Sequence, residues 1–197
     1  MSSRHLLIVL FIALLPTAAS ADWQLVPDQS SLSFVSIKKG KVAEVHHFGR
    51  LSGGIDARHR FTLRIDLASV ATGIPVRDER MRKLLFETAR FPVATVSGSL
   101  PDDRYDHMAP GEAANATVQA RLALHGQTQT LSARLVVVGL AGNQLLVTTR
   151  DPVIVDAADF RLLGGIEKLR EVAKLPAIAT AVPVNFVLVF ERRPQEK

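Results

Sequence analysis

The clearest pattern in the chain is a strict alternation of apolar and polar residues, which is typical of strands that bury one face. It holds over residues 61–68 and 117–124, and it resumes over residues 131–137. His125-Gly126 joins the last two segments, and so short a connection predicts a β-hairpin. Further strands are predicted at residues 32–34, 93–100, 145–149 and 182–190. Many short strands separated by turn residues favour an antiparallel sandwich or barrel.

Two segments have the spacing of a helix instead. Over residues 77–89 the apolar residues fall three and four positions apart, and Pro75 is a suitable first residue for the helix. Over residues 165–175 a second apolar stripe ends before Pro176, which cannot continue a helix. We therefore expect a mainly β domain with two short helical insertions.

The first 21 residues have the pattern of a secretory signal peptide. Arg4 supplies a positive charge, residues 6–15 are uninterrupted apolar residues, and Ala19-Ser20-Ala21 is a small-residue cleavage pattern. An apolar run of this length is too short for a stable membrane-spanning helix. An uncleaved N-terminal anchor stays open as the alternative. Cleavage after Ala21 would leave a mature chain that begins at Asp22, and the bacterial style of the cleavage pattern predicts a periplasmic protein.

Composition limits the chemistry that the mature chain can perform. The 197 residues include no cysteine, which excludes disulfides, thiolate metal sites and a cysteine nucleophile. Apolar residues make up 47% of the chain and charged residues 22%, which are the proportions of a folded domain with a sizeable core. We therefore expect one domain over residues 22–191, followed by a solvated tail over residues 192–197.

The titratable residues form no recognisable catalytic or metal-binding motif. Glu44 and His46 lie two positions apart and therefore share one face of a strand, whereas His47 lies on the other face. Two residues so placed supply at most half of the ligands that a metal requires. The sequence contains neither a Gly-x-Ser-x-Gly nucleophile motif nor a glycine-rich phosphate loop. We therefore expect no catalytic residue, no metal and no cofactor.

The first predicted helix is basic. Its cationic and apolar side chains alternate along the segment: Arg77, Arg80, Met81, Arg82, Lys83, Leu84 and Leu85. Such a segment could contact an anionic headgroup or a membrane surface. Asp78, Glu79 and Glu87 dilute its charge, so the alternative is an ordinary solvated helix face. Nucleic acid is a disfavoured partner, because the chain has one Trp and one Tyr for stacking against bases.

A series of short segments extends over nearly the whole mature chain. They are residues 23–34, 48–56, 65–73, 77–82, 85–86, 91–92, 122–128 and 159–160. Taken in this order, the segments resemble the YceI-like family. The resemblance implies an antiparallel, lipocalin-like barrel of about eight strands, with a helix across one side and an elongated apolar cavity. Some members of that family bind polyisoprenoid lipids.

The chain departs from the lipid-binding type of that family at three places. Lys38-Lys39-Gly40-Lys41 stands where that type commonly has a His-Leu-Gly segment. Arg161 follows Asp159-Phe160, where that type commonly continues with glycine. The predicted helix over residues 165–175 looks like an insertion, which could cap the cavity or narrow it.

The resemblance implies an exported, non-enzymatic protein that holds an elongated apolar or amphiphilic ligand, an isoprenoid-like lipid or quinone, inside the barrel. The expected ligand-binding residues are Phe34, His46, Phe48, Arg77, Met81, Leu85 and Phe86. Among them, we expect His46 and Arg77 near the mouth of the cavity. An envelope stress or interaction protein with a filled barrel is the alternative, and an enzyme is the third. A homodimer and peripheral contact with a membrane also stay open.

Overall fold

The computed structural model describes residues 21–101 and 103–193, in which twelve strands form one antiparallel sheet. The strands are β1 (Ala21–Leu25), β2 (Ser31–Lys38), β3 (Val42–Phe48), β4 (Leu51–Asp56), β5 (Arg60–Asp66), β6 (Val70–Ala71), β7 (Val93–Ser99), β8 (Ala113–Leu124), β9 (Gln127–Leu140), β10 (Gln144–Thr149), β11 (Val153–Asp156) and β12 (Ala181–Arg192). The signal peptide predicted from the sequence covers residues 1–21. Residues 1–20 lie outside the described ranges. No helix within those ranges is long and apolar enough to cross a membrane.

Eight of the strands close into a ring in the order β1-β4-β5-β7-β8-β9-β10-β12. The ring closes where β1 pairs with the end of β12, with Trp23 opposite Arg192 and Leu25 opposite Phe190. The first half of β12 pairs instead with β2 and β11, so these strands extend the wall beyond the ring. The predicted eight-stranded antiparallel barrel is confirmed.

The alternating segments form the longest hairpin of the barrel. β8 and β9 pair along their length, from Leu124 opposite Gln127 to Ala113 opposite Val138. The connecting His125-Gly126 has φ angles of 50° and 74°. Two consecutive positive φ angles suit the twist of a two-residue hairpin, and glycine adopts such an angle without steric cost. The hairpin predicted from the sequence is confirmed.

Both predicted helices are present, but each ends earlier than the spacing of apolar residues indicates. α1 (Pro75–Arg80) begins at the expected proline and continues as a π-helical segment, Met81–Leu85. It stops because Glu87 adopts a left-handed φ of 48°. α2 (Leu163–Val172) is likewise followed by a left-handed residue, Lys174, with φ of 52°.

These helical segments together cover one end of the barrel. α2 crosses the π-helical segment so closely that a Cβ on Gly165 would lie 2.6 Å from the carbonyl oxygen of Leu84. Leu85 from the π-helical segment and Ile166 from α2 both face the barrel interior. Of the two roles expected for the second predicted helix, capping the cavity or narrowing it, this arrangement corresponds to a cap.

A short 3₁₀ turn, Arg104–His107, lies at the opposite end, beside the turn between β4 and β5. Asp106 fixes it there, because its Oδ1 accepts a hydrogen bond of 2.8 Å from Trp23 Nε1 and its Oδ2 lies 2.7 Å from His59 Nε2. Tyr105 is 2% exposed and belongs to the core. Each end of the barrel thus carries a packed covering element.

Candidate ligand-binding cavity

The interior of the barrel contains a cavity of about 240 Å³. Protein interiors are close-packed, and the voids that they contain seldom exceed the size of a water molecule. One water requires only about 10–15 Å³ of such space. The cavity is therefore far larger than a packing defect, and side chains leave the barrel hollow.

The cavity wall is almost entirely apolar. Apart from Thr62, whose side chain lies on the exposed outer face of β5, every described residue that lines it is apolar. Every second residue of a barrel strand points inward, and several of these inward positions carry small side chains. Ala94 on β7, Ala120 on β8 and Ala133 on β9 line the cavity where larger residues would fill it. The hollow interior therefore results from alanines placed on neighbouring strands.

Aromatic rings form the wall nearest the helical end. The Phe34 and Phe48 ring centroids lie 5.3 Å apart on the paired strands β2 and β3, and Phe48 lies 5.7 Å from Phe86. These separations are typical of favourable aromatic pairs. The rings connect the sheet to the end of the π-helical segment, which links the helical cap to the cavity wall.

The inward face of β2 and β3 changes from apolar to charged along the strands. On β3, Phe48 lines the cavity, His46 is buried next to it and Glu44 is half-buried. On β2, Phe34 pairs with His46, and Ser36 pairs with Glu44. The shared inward face of Glu44, His46 and Phe48 thus leads from the cavity wall to a polar cluster.

His46 is the buried member of this polar cluster, with 2% of its surface exposed. Its Nε2 lies 2.8 Å from Ser36 Oγ, and its ring packs edge-on against Phe34 with centroids 5.3 Å apart. Its Nδ1 has no hydrogen-bond partner within the described ranges. Burial lowers the pKa of His46, and the positive charge of Arg77 lowers it further. The imidazole is therefore neutral at pH 7.

Arg77 is held by partners from two other segments, Glu44 on β3 and Thr72 after β6. Its Nη1 donates to Glu44 Oε2 over 2.5 Å, its Nε donates to Thr72 Oγ1, and its Nη2 donates to the Thr72 carbonyl oxygen. Lys38 Nζ lies 2.6 Å from the same Glu44 carboxylate, and its hydrogen bond is the main reason that the pKa of Glu44 is lowered. Asp78 accepts from the Thr72 backbone and hydroxyl. Two cations and two anions therefore balance in this cluster.

Four of the seven residues expected to bind the ligand line the cavity: Phe34, Phe48, Leu85 and Phe86. Met81 is buried in the core but is not part of the lining. His46 and Arg77 belong to the polar cluster beyond the lining. Sequence reasoning missed the small lining residues such as Ala120 and Ala133, although their inward positions in the alternating segments could have identified them.

The described part of the chain, residues 21–101 and 103–193, contains no group of three His, Asp or Glu side chains arranged to hold a metal ion. The pairs that occur, such as His59 with Asp106, are tied into the walls and ends of the barrel. The cavity has the capacity to bind an apolar ligand of appreciable size.

Known proteins share both the sequence pattern and the fold of this barrel. The model of the YceI-like domain matches residues 23–190. A polyisoprenoid binding domain from Saccharophagus degradans, implicated in plant cell wall breakdown, is 43% identical to the chain. The match covers 88% of this chain and 100% of that chain, with a TM-score of 0.85.

More distant structures share the fold. BcnA from Burkholderia cenocepacia is 20% identical over 84% of this chain and 98% of its own, with a TM-score of 0.64. A YCEI protein from Campylobacter jejuni is 15% identical over 76% of this chain and 85% of its own, with a TM-score of 0.56. Among curated proteins, none matches the chain. The domain match and the 43% identical structure both extend over most of the chain, which therefore belongs to the YceI-like family.

Proposed function

We propose that this protein is an exported, non-enzymatic binding protein that holds an isoprenoid-like lipid in the barrel. The hollow interior with its apolar wall carries this proposal, because only an apolar molecule gains from entering it. The 43% identical structure is a polyisoprenoid binding domain, which supports the same class of ligand. The alternative of a filled barrel is disfavoured by the size of the cavity.

Apolar burial alone supplies enough free energy for such binding. Roughly a dozen buried methylene groups at ~0.8 kcal/mol each give ~10 kcal/mol before the cost of ordering the tail. Retention therefore requires no catalytic group and no charged contact with the ligand. This is the reason for proposing a carrier rather than an enzyme.

The polar cluster beside Phe34 supports a neutral, hydrogen-bonding head on the ligand. His46 presents a buried Nδ1 without a partner in the described ranges, and its ring packs against Phe34 of the cavity wall. The cations Lys38 and Arg77 are already compensated by carboxylates, so they offer little attraction to a diphosphate. We therefore place the quinone type of isoprenoid lipid ahead of isoprenoid phosphates.

Export rests on the residues that precede the barrel. The charged start, the apolar segment and the small-residue cleavage pattern within residues 1–21 support secretion to the periplasm, with cleavage after Ala21. N-terminal sequencing of the protein isolated from cells is expected to begin at Asp22. A sequence that begins at Met1 in a membrane fraction would contradict export with cleavage.

Lipid extraction and mass spectrometry test the proposed cargo. The full chain is expressed in a bacterium that makes isoprenoid quinones, purified without detergent and extracted with organic solvent. We expect a prenyl lipid in the extract of the wild-type protein. An empty protein whose melting temperature is unaffected by isoprenoid quinones and isoprenoid phosphates would overturn the proposal.

Three variants connect the lipid to the cavity. Phe48→Asp places a charge in the cavity wall and is expected to abolish loading. Ala133→Phe fills part of the empty space without burying a charge, so it tests the cavity even if Phe48→Asp does not fold. Val45→Asp is the control, because Val45 lies on the outer face of the same strand and is 59% exposed. Equal loading of all three variants would place the lipid elsewhere.

A further inference from the structure

The outer wall of the barrel carries an open groove of about 580 Å³ across β4, β5, β7 and β8, lined mainly by glycine, hydroxyl and charged residues. Its floor follows one row of directly paired residues, in which Gly54 is opposite Thr62, Thr62 opposite Ser97, and Ser97 opposite Arg121. Thr62 and Arg121 are exposed, and Ser97 is partly exposed, so the row faces solvent. Small side chains at three of its four positions leave room for a ligand.

A second arginine enters the groove from the neighbouring row. Arg64 lies two residues beyond Thr62 on β5 and therefore points to the same outer face. It is paired with Ser52 on one side and Thr95 on the other, which are again small residues. Arg64 and Arg121 thus stand on either side of β7 above a floor of glycine and hydroxyl side chains.

These two arginines differ from most cations of the barrel wall. Arg50 pairs with Asp66 at 2.8 Å, and Arg134 pairs with Asp151 at 2.8 Å. Within the described ranges, neither Arg64 nor Arg121 has a hydrogen-bond or ion-pair partner. Their charges are therefore available to a ligand.

Asp56 is the acidic residue of the groove, and it is already engaged. It pairs with Arg60 at 2.6 Å and accepts hydrogen bonds from the backbone N–H groups of Arg58 and Arg60. Burial raises the pKa of Asp56, but these hydrogen bonds outweigh that effect and lower it. The groove contains three arginines, Arg60, Arg64 and Arg121, and this one ionised carboxylate. Its net charge is therefore positive.

The basic helix, which the sequence suggested as a contact for an anionic headgroup, differs from the groove because three of its cations are paired with carboxylates. Arg77 is bound to Glu44, while Arg82 and Lys83 both pair with Glu79. Carboxylates therefore occupy these three cations, whereas Arg64 and Arg121 of the outer groove have no such partner within the described ranges. The groove on the sheet thus presents two guanidinium groups that are free of carboxylate partners.

We propose that the outer groove binds a phosphate group. Arg64 and Arg121 supply planar guanidinium donors, which bind phosphate oxygens in bidentate fashion. The hydroxyl groups of Thr62 and Ser97 donate to the same oxygens from the floor of the groove. The phosphate can come from the headgroup of an anionic lipid or from free phosphate. This site lies outside the barrel and does not depend on what fills the cavity.

Two probes separate the two sources of phosphate. Isothermal titration with inorganic phosphate at low ionic strength measures binding of the free anion. Sedimentation with phosphatidylglycerol vesicles, compared with phosphatidylcholine vesicles, measures binding of the anionic headgroup. If either probe binds and its binding weakens with added salt, the result supports the site. The probe that binds identifies the source of the phosphate. Failure of both probes to bind would overturn the proposal.

The double variant Arg64→Gln/Arg121→Gln assigns the binding to the groove. We expect it to weaken binding of the effective probe roughly tenfold or more. Arg82→Gln/Lys83→Gln removes the same number of charges from the π-helical segment and is expected to change binding less than about twofold. Equal losses in the two double variants would show a general effect of net charge and would contradict a defined site.

A single-atom change tests the floor of the groove. Ser97→Ala removes the hydroxyl and leaves the charge of the groove unchanged, so it is expected to weaken phosphate binding about three- to tenfold. Ser132→Ala, on the neighbouring strand β9 outside the groove, is the matched control. The lipid content of the same variants, measured by extraction, is expected to equal that of the wild type. A loss of phosphate binding in the groove can therefore be distinguished from a loss of lipid from the cavity.

Discussion

Asp106 Oδ2 lies 2.7 Å from His59 Nε2, and this contact joins the 3₁₀ turn Arg104–His107 to the turn between β4 and β5. The other carboxylate oxygen accepts from Trp23 Nε1 on β1. Burial raises the pKa of Asp106, but the hydrogen bonds from His59 and Trp23 outweigh burial and lower it. One ionised carboxylate thus ties three segments together at the end of the barrel opposite the helices.

Replacing Asp106 with Asn is expected to destabilise the fold. The amide keeps one acceptor oxygen but loses the negative charge, so either Trp23 or His59 is left without its strong partner. We expect the free energy of unfolding to fall by about 1–3 kcal/mol. Urea denaturation measures this loss, and the fluorescence of Trp23, the one tryptophan of the chain, reports the local change.

The exposed carboxylate of Asp28 provides the control for this variant, and Asp28→Asn is expected to leave stability unchanged within about 0.5 kcal/mol. Acid provides a second measurement. Because the pKa of Asp106 is lowered by folding, its stabilisation is complete above the unfolded value of about 3.9 and is lost as pH falls through the folded value. Equal acid sensitivity of wild type and Asp106→Asn would contradict this role.

Because His46 is buried, we expect a second pH dependence of stability, at less acidic pH than that of Asp106. Its folded pKa is lowered chiefly by burial, whereas the unfolded residue takes up a proton near pH 6.5. Below that pH the unfolded state binds a proton that the folded state does not, so stability is greatest above about pH 6.5 and decreases on acidification. Urea denaturation at pH 7.5 and pH 5.5 measures the decrease.

The matched variants for this effect are His46→Gln and His47→Gln. His47 lies on the exposed face of the same strand, so its replacement is expected to keep the pH dependence of the wild type. Gln at position 46 can still bond Ser36 but does not titrate, and it is expected to reduce the decrease in stability between pH 7.5 and pH 5.5. The same pH dependence in all three proteins would show that His46 does not cause it.

The contact between α2 and the π-helical segment predicts opposite effects at two adjacent glycines. A Cβ on Gly165 would lie 2.6 Å from the Leu84 carbonyl oxygen and 2.8 Å from Leu85 Cα, so Gly165→Ala is expected to cost about 1–3 kcal/mol. A Cβ on Gly164 would meet nothing within 4 Å, and Gly164→Ala is expected to stabilise the helix by roughly 0.5–1 kcal/mol.

Thermal denaturation of the two variants measures this difference. Because Leu85 and Ile166 line the cavity on the two sides of the contact, Gly165→Ala is also expected to release lipid faster than Gly164→Ala. Similar melting temperatures for the two variants would mean that α2 does not pack against the π-helical segment in solution.

The sequence could predict the parts of the fold in which one face of a strand is buried and the other is exposed to solvent. β5 alternates clearly because Leu63 and Ile65 are buried while Thr62 and Arg64 are exposed. β4 does not show this alternation because Gly53 and Gly54, at its centre, carry no side chains. Gly53 is required there, since a Cβ would lie 2.2 Å from the Thr62 carbonyl oxygen.

The candidate site could be predicted in part for a similar reason. Phe34 and Phe48 are large, apolar and two positions from other inward residues, so alternation places them in the wall. The hollow space itself depends on how alanines such as Ala120 and Ala133 face one another across strands, which requires the strand register. The ion pair of Arg77 with Glu44 joins residues 33 positions apart and is likewise set by the fold.

The last prediction concerns the charge balance at the polar end of the proposed ligand site. The hydrogen bond from Lys38 lowers the pKa of Glu44, so at pH 7 this carboxylate is ionised and compensates Lys38 and Arg77. Glu44→Gln removes one negative charge and leaves the two cations facing the site. The affinity for an isoprenoid diphosphate relative to an isoprenoid quinone is then expected to rise roughly tenfold, which corresponds to about 1.4 kcal/mol.

Competition between the two lipids, measured by thermal shift and by extraction, determines this ratio. Glu79→Gln is the control, because Glu79 is an exposed carboxylate of α1 that also pairs with two cations, Arg82 and Lys83 of the π-helical segment. We expect its preference to match the wild type, since the charges that it uncovers are screened by solvent. If Glu44→Gln and Glu79→Gln bind the two lipids in the same ratio, the ligand head does not lie beside Glu44, and the polar cluster serves only to hold Arg77 in the fold.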